Sequence, residues 1–159
     1  MRDVVIVDSV RTGLTKAFRG SFNLTRSDDM LAHCIDSLLD RNPNLSPDEV
    51  EDVVVGAATH AGEQDGNLAR LAVVLSKLPI TVAGVSINRF CSSGLQAIAI
   101  AANQIASGQT EVAIAGGVDS ISMRTRQEPG KAKQNQRLLD EKPDICLLYT
   151  SPSPRDSIR

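Results

Sequence analysis

Four short, continuously apolar runs punctuate the chain, and most of the stretches between them have the apolar spacing of helices. The runs are Asp3-Val4-Val5-Ile6-Val7-Asp8, Val53-Val54-Val55-Gly56, Thr81 to Ile87 and Glu111 to Ala115. A strand that is apolar at every position belongs to a sheet covered on both faces. Strands alternating with helices join through right-handed crossovers into a largely parallel sheet. The pattern therefore predicts an α/β layered domain.

The intervening segments carry helix signals. Thr25-Arg26-Ser27-Asp28 offers a capping box. The helix it opens groups Met30, Leu31, Cys34, Ile35, Leu38 and Leu39 on one face, with Asp29, His33, Asp36 and Asp40 on the other. Asn42-Pro43-Asn44 stops it. Ser46-Pro47-Asp48-Glu49 reads as an N-cap, a first-turn proline and an acidic first turn. Leu68, Leu71, Ala72, Leu75 and Leu78 mark a further helix that Pro79 ends.

Several functional classes lack their signatures. With 17 basic against 19 acidic residues, the net charge of -2 is not the footprint of a nucleic-acid binder. No apolar run approaches the roughly 18 residues a membrane span needs. The strand pattern begins at residue 3 and leaves no room for a signal peptide. Neither G-x-G-x-x-G nor G-x-x-x-x-G-K-[ST] occurs, so a nucleotide site lacks its motif. The three cysteines, Cys34, Cys91 and Cys146, form neither a disulfide framework nor a C-x-x-C metal pair, which fits free thiols in a reducing cytoplasm.

Cys91 has the most telling position. It stands where the third run gives way to a helix in which Leu95, Ile98, Ala99, Ala102, Ile105 and Ala106 form one apolar face. Ala97, Ile100 and Ala101 leave little polar surface elsewhere, so this helix is expected to be buried, with Ser107-Gly108 as its end. Unpaired N–H groups and the dipole at a helix N-terminus stabilise a thiolate. The same N–H groups could hold the oxygen of a tetrahedral adduct. A nucleophile for acyl transfer is one reading; a small buried hydrophobe, the usual role of free cysteine, is the other. His60, after the second run, could pair with Cys91 as a dyad. Arg70, Arg124 and Arg126 could meet a phosphate or serve in salt bridges. His33 and Cys34 lie on opposite sides of the first helix and carry no functional signal.

Ile87-Asn88-Arg89-Phe90-Cys91-Ser92-Ser93-Gly94-Leu95-Gln96-Ala97 resembles the acyl-enzyme cysteine signature of the thiolase family. Gly116-Gly117-Val118-Asp119-Ser120-Ile121-Ser122 is similar to the segment that follows it in thiolases. "VDSVRTGLTKAFRGSF" resembles the family's opening, with Gly13 where proline is usual, and "GAATHAGEQDGNLARLAVVLSKLP" is similar to the stretch before its third strand. The likeness runs from about residue 3 to 145.

This resemblance implies the N-terminal half of a thiolase-like layered fold: a core domain at 1–122 and the start of a loop domain at 123–145. It implies an acyltransferase in which Cys91 is the nucleophile and carries the acyl-thioester, its backbone N–H a possible oxyanion donor. The substrates would be acyl-CoA and CoA, with no cofactor or metal. The degradative 3-ketoacyl-CoA type is the first expectation and the acetoacetyl-CoA-forming biosynthetic type the second. The resemblance also implies a homodimer or homotetramer for the full-length protein. The family's histidine, asparagine-bound water and second cysteine come from the other half, so this chain alone is expected to be inactive. A ketoacyl-synthase-like condensing enzyme and a non-catalytic thiolase-like binding module are the rival readings.

Residues 146–159, "CLLYTSPSPRDSIR", have no helical period, and Pro152 and Pro154 break any attempt at one. Cys146 to Asp156 resembles a translated library adapter, so this stretch is expected to be a non-native tail.

Overall fold

Val53, Val54 and Val55 form the centre of the fold. In the computed structural model, which describes residues 2–124 and 135–143, they lie on β1 (Asp52–Gly56), the middle strand of a three-stranded parallel sheet. β2 (Ala83–Ile87) pairs along one edge, from Asp52 opposite Ala83 to Gly56 opposite Ile87. β3 (Ala113–Gly117) pairs along the other, from Asp52 opposite Ala113 to Gly56 opposite Gly117. All three valines are at most 2% exposed. Val53 and Val55 pack with Leu31, Ile35 and Leu39 of α1 (Ser27–Arg41) and with Leu68, Ala72 and Val73 of α2 (Leu68–Leu75). Val54 points the other way and packs with Ala97 and Ala101 of α3 (Ser93–Ser107). Side chains that alternate across a strand thus meet helices on both faces, as the continuous apolar run requires.

Strand order explains the two layers. From β1 the chain passes through α2 to β2 on one side, and from β2 through α3 to β3 on the other side of β1. Right-handed crossovers running in opposite directions place their helices on opposite faces. The loops after β1, β2 and β3 consequently gather at one end of the sheet.

The elements depart from the sequence expectations in several places. The apolar run at residues 3–8 forms no strand, and Val5, Ile6 and Val7 are 75–80% exposed. A strand needs a ladder partner. Here the segment is tied only at its ends: the Arg2 N–H donates to Ala106 O at 3.3 Å, Arg2 pairs with Glu111, and Asp8 accepts from Arg41 at 2.8 Å. A groove of about 510 Å³ lies beside β3, lined by residues 10–17, α1, β1 and β3. At α1 the capping box does not form. Arg26 is the N-cap, but its side chain pairs with Asp28 at 2.9 Å and makes no capping bond, and Ser27 turns to Glu63 and Gln64. The box after Ser46 does bond, its N–H donating to Glu49 at 2.8 Å, but it opens a single 3-10 turn, Pro47–Glu49. α2 ends at Leu75, before Leu78 and Pro79. β2 starts at Ala83 rather than Thr81, because Val82 still turns back onto Pro79 O at 3.1 Å.

α3 is not buried all round. Ser93, Ala97 and Ala101 face the sheet, while Leu95 is 71% and Ile98 40% exposed. Its C-cap Gly108 takes the left-handed conformation (φ 77°) open to glycine. Beyond β3 lie α4 (Ile121–Arg124) and α5 (Gln136–Glu141). α5 lies in segment 123–145, where Leu138 packs with Ala32, Val74 and Leu75, and Arg137 pairs with Asp29 at 2.8 Å. Much of segment 123–145 and all of 146–159, with Cys146, lie outside the described residues. No helix among the described residues is long and apolar enough to cross a membrane.

Leu68 is fully buried and Leu95 is not, so Leu68→Ala should cost about 2–5 kcal/mol and Leu95→Ala no more than about 0.5. Urea denaturation of the two variants measures this. A comparable loss from Leu95→Ala would show that the outer face of α3 is packed.

Candidate active site

β2 ends at Ile87 and α3 begins at Ser93, leaving a turn of five residues with Cys91 near its end. The backbone of this turn is unusual. Phe90 has φ 49°, a left-handed conformation that bulky side chains avoid and that costs of order 1–3 kcal/mol. Local hydrogen bonds hold it. Phe90 N–H donates to Asn88 Oδ1 at 2.8 Å, and Phe90 O accepts from the Ser93 N–H at 3.0 Å and Ser93 Oγ at 2.6 Å. Ser93 Oγ also accepts from Arg89 N–H at 2.8 Å. Cys91 stands exposed on the outside of the bend, two residues before α3.

The N–H groups of Ser92 and Ser93 fold back onto the Arg89 and Phe90 carbonyls. Those of Cys91, Gly94 and Leu95 donate to nothing among the described residues. Unpaired donors at a helix start are a ready site for a developing negative charge.

The start of α3 is pressed directly onto the sheet. A methyl group at Gly56 would overlap the Ser93 carbonyl, and one at Gly117 would lie 2.8 Å from Gly56 O and 3.0 Å from Gly94 Cα. Glycine at both positions lets helix backbone meet strand backbone, which fixes the height of Cys91 above the strand ends.

The loops after the three strands are joined by polar side chains. Asn88 Nδ2 donates to Ala58 O at 3.1 Å, and Ala58 N–H donates to Asp119 Oδ2 at 2.7 Å. Gln64, fully buried, has a partner at all four places of its amide, sharing the one Ser27 hydroxyl hydrogen with Glu63 Oε1 at 2.9 Å. Its Nε2 donates to Thr59 O at 2.6 Å and Asp119 Oδ1 at 3.1 Å; its Oε1 accepts from Ser27 Oγ at 2.8 Å and Ser120 N–H at 2.6 Å. Beside it Glu63, 2% exposed, accepts from the Ser27 N–H at 3.0 Å through Oε1, while Oε2 has no partner. Burial pushes the Glu63 carboxyl up, against the hydrogen bonds from Ser27.

The other sequence candidates fall elsewhere. His60 Nε2 lies 3.3 Å from Ile87 O, near the start of the turn, and no hydrogen bond joins it to Cys91 among the described residues. Cys34 is half-buried and lines the groove beside β3; burial raises its thiol pKa. His33 is exposed on α1. Arg70 is 6% exposed and donates to Val82 O at 2.8 Å, and no carboxylate among the described residues pairs with it. Arg124 closes α4, and Arg126 lies outside the described residues. Among the described residues no group of three or more His, Cys, Asp or Glu could hold a metal ion.

The family model for the thiolase N-terminal domain matches residues 4–152. This chain belongs to the thiolase family. The match includes residues 146–152 of the stretch set apart by its sequence. The chain is 43% identical over 144 residues to a beta-ketoadipyl-CoA thiolase of Pseudomonas putida, covering 88% of this chain and 36% of that protein. It is 43% identical over 122 residues to a 3-oxoadipyl-CoA/3-oxo-5,6-dehydrosuberyl-CoA thiolase of Escherichia coli K12, covering 77% and 30%. It is 40% identical over 121 residues to a 3-ketoacyl-CoA thiolase of Pseudoalteromonas atlantica, covering 76% and 31%. The chain thus spans about a third of the length of these relatives.

The sequence singled out Cys91 as a candidate but gave no separate role to Asn88, Gln64 or Asp119. Each lies in a segment similar to thiolases, and the available signal was polar side chains in the loops at the carboxyl ends of parallel strands.

Two measurements test this geometry. Cys91 should alkylate faster than Cys34 at neutral pH, read by mass spectrometry of a limited iodoacetamide reaction; equal labelling would contradict the exposed turn. Glu63 makes a pH-dependent contribution. Because its folded pKa is raised, its stabilisation is complete below the ordinary value of 4.5 and is lost as pH rises through the folded value. Wild type should therefore lose stability relative to Glu63→Gln as pH climbs above 4.5. Parallel stability curves would show that Glu63 carries its charge without penalty.

Proposed function

We propose that the full-length protein is an acyltransferase that cleaves 3-oxoacyl-CoA by thiolysis, with Cys91 as the acyl carrier. The observation that carries this is Cys91 itself: an exposed thiol on a strained turn beside unpaired N–H groups of α3, in a chain of the thiolase family.

The Cys91 sulfur attacks the 3-keto carbon. The bond between C2 and C3 then breaks, its electron pair leaving with acetyl-CoA as the enolate, which takes up a proton. The shortened acyl group stays on Cys91 as a thioester until the thiol of a second CoA takes it and restores the cysteine. Read backwards, the same steps condense two acyl-CoA molecules. A cysteine suits both directions because its thioester has nearly the energy of CoA's own. The Cys91 N–H is the donor we assign to the developing oxyanion, as a preorganised dipole that costs no reorganisation during the reaction.

CoA enters as substrate, and the reading calls for no cofactor or metal. The proton donor and acceptor lie outside the described residues, since His60 contacts Ile87 O rather than Cys91. The relatives carry two kinds of name, for ketoadipyl-CoA and for 3-ketoacyl-CoA thiolases. Both fit cleavage at the same keto carbon.

The test is loss of 3-oxoadipyl-CoA and of acetoacetyl-CoA on addition of CoA, in the full-length protein and in its Cys91→Ala variant. We expect cysteine-dependent turnover in the range of about 1–10³ per second with at least one of them. The 159-residue chain alone should fall short by at least about 10²–10⁴-fold, because no general acid–base group stands at the thiol among the described residues. Turnover that survives Cys91→Ala, or full activity in the short chain, would overturn the reading.

A further inference from the structure

We infer that Asn88 is the positioning residue of the Cys91 turn. This rests on the reading of Cys91 as the acyl carrier.

Three side chains bond the backbone of the turn, and they do different things: Ser92 Oγ donates to Arg89 O at 2.9 Å, within the bend. Ser93 is 3% exposed, and its hydroxyl bonds reach only Arg89 and Phe90, so it shapes the bend from within. Asn88 connects the bend to the rest of the sheet. Its Oδ1 accepts from the Phe90 N–H at 2.8 Å while its Nδ2 donates to Ala58 O at 3.1 Å. The Ala58 N–H is held in turn by Asp119 Oδ2 at 2.7 Å. The residue before the cysteine is therefore referenced, through one amide, to the loops after β1 and β3. The next tie upstream is at Ile87 O, which accepts from the Ala57 N–H at 3.1 Å and contacts His60 Nε2 at 3.3 Å. Those bonds secure the end of β2, not the bend.

An amide is what this place requires. It offers an acceptor and a donor on adjacent atoms, one for the Phe90 N–H and one for the Ala58 carbonyl. An ionised aspartate keeps the acceptor but sets a second oxygen against Ala58 O. An alanine supplies neither. Without the tie the left-handed Phe90 has a lower-energy backbone to relax into, and Cys91 moves with it. The thioester bond forms only when sulfur and carbonyl carbon approach closely and in line, so a small displacement acts on the rate of acylation.

The experiment is a single-turnover acetylation of Cys91 by acetyl-CoA in the full-length protein, followed by intact-mass spectrometry, for wild type, Asn88→Ala and Asn88→Asp. Asn88→Ala should slow acetylation by about 10²-fold, with the half-saturating acetyl-CoA concentration unchanged within about threefold. Asn88→Asp should fall between Asn88→Ala and wild type, since it retains the bond to the Phe90 N–H. A variant that merely folds less well would lose amplitude of labelling, not rate. Wild-type rates in Asn88→Ala, or an Asn88→Asp as slow as Asn88→Ala, would overturn the positioning role alone. Absence of acetyl on Cys91 in wild type would overturn the nucleophile reading and this inference with it.

Discussion

The arrangement depends on a contact between backbones. At the carboxyl end of β1, Gly56 lies under the first peptides of α3, and Gly117 of β3 lies beside Gly94. Neither place has room for a side chain. This lets a helix N-terminus rest on the ends of two parallel strands, at the crevice where consecutive crossovers leave the sheet in opposite directions. Placing a nucleophile at that crevice is then a matter of one turn. Cys91 follows β2 and precedes α3, so both elements fix its position. The sheet is the rigid part. Its central valines leave no freedom for β1 to shift, since packed interiors transmit displacement rather than absorb it.

Holding the loops together above that contact is polar work, done largely by uncharged groups. Gln64 uses both amide hydrogens and both lone pairs, and so links residues near 27, 59, 119 and 120 that no strand or helix joins. A charged residue there would face the cost of desolvation, as the neighbouring Glu63 does with its unpartnered Oε2. A fully satisfied amide carries no such cost and defines one arrangement. Asn88 repeats the device at the surface.

The sequence shows the layered α/β class, and the place of Cys91 at a strand-to-helix junction, because both leave strong local marks. A run such as Val53-Val54-Val55 has meaning only in a sheet covered twice, and the structure covers it twice. Cys91 sits between a strand pattern and a helix pattern, and the structure keeps it there. Local pattern does not reveal partners. Residues 3–8 have the composition of a strand but pair with none of the described strands, and they lie exposed between two end anchors. The apolar α3 was expected to be enclosed, yet the described residues supply a neighbour for only one of its faces. The capping pattern before α1 likewise gave way to a distant demand. Ser27 serves Glu63 and Gln64 from across the fold rather than its own helix. Asn88, Gln64 and Asp119 escaped for the same reason. Their significance is in contacts 30 to 61 residues away, visible only once the loops have met.

The relatives' names point to acyl groups that differ at the far end, one bearing a second carboxylate and another not. The groups described around Cys91 offer no means of telling them apart. On the proposed reading, Cys91, its N–H and the Asn88 tie would address the keto carbon and the thioester, the portion such substrates share. A terminal carboxylate calls for a cation placed several bonds away. Arg70 is turned inward to Val82 O, and Arg89 beside the nucleophile is joined to Gln96. On that reading the chemistry and the choice of acyl chain are separable: the first would belong to the strand-to-helix turn, and the second to residues that reach the acyl chain from outside it.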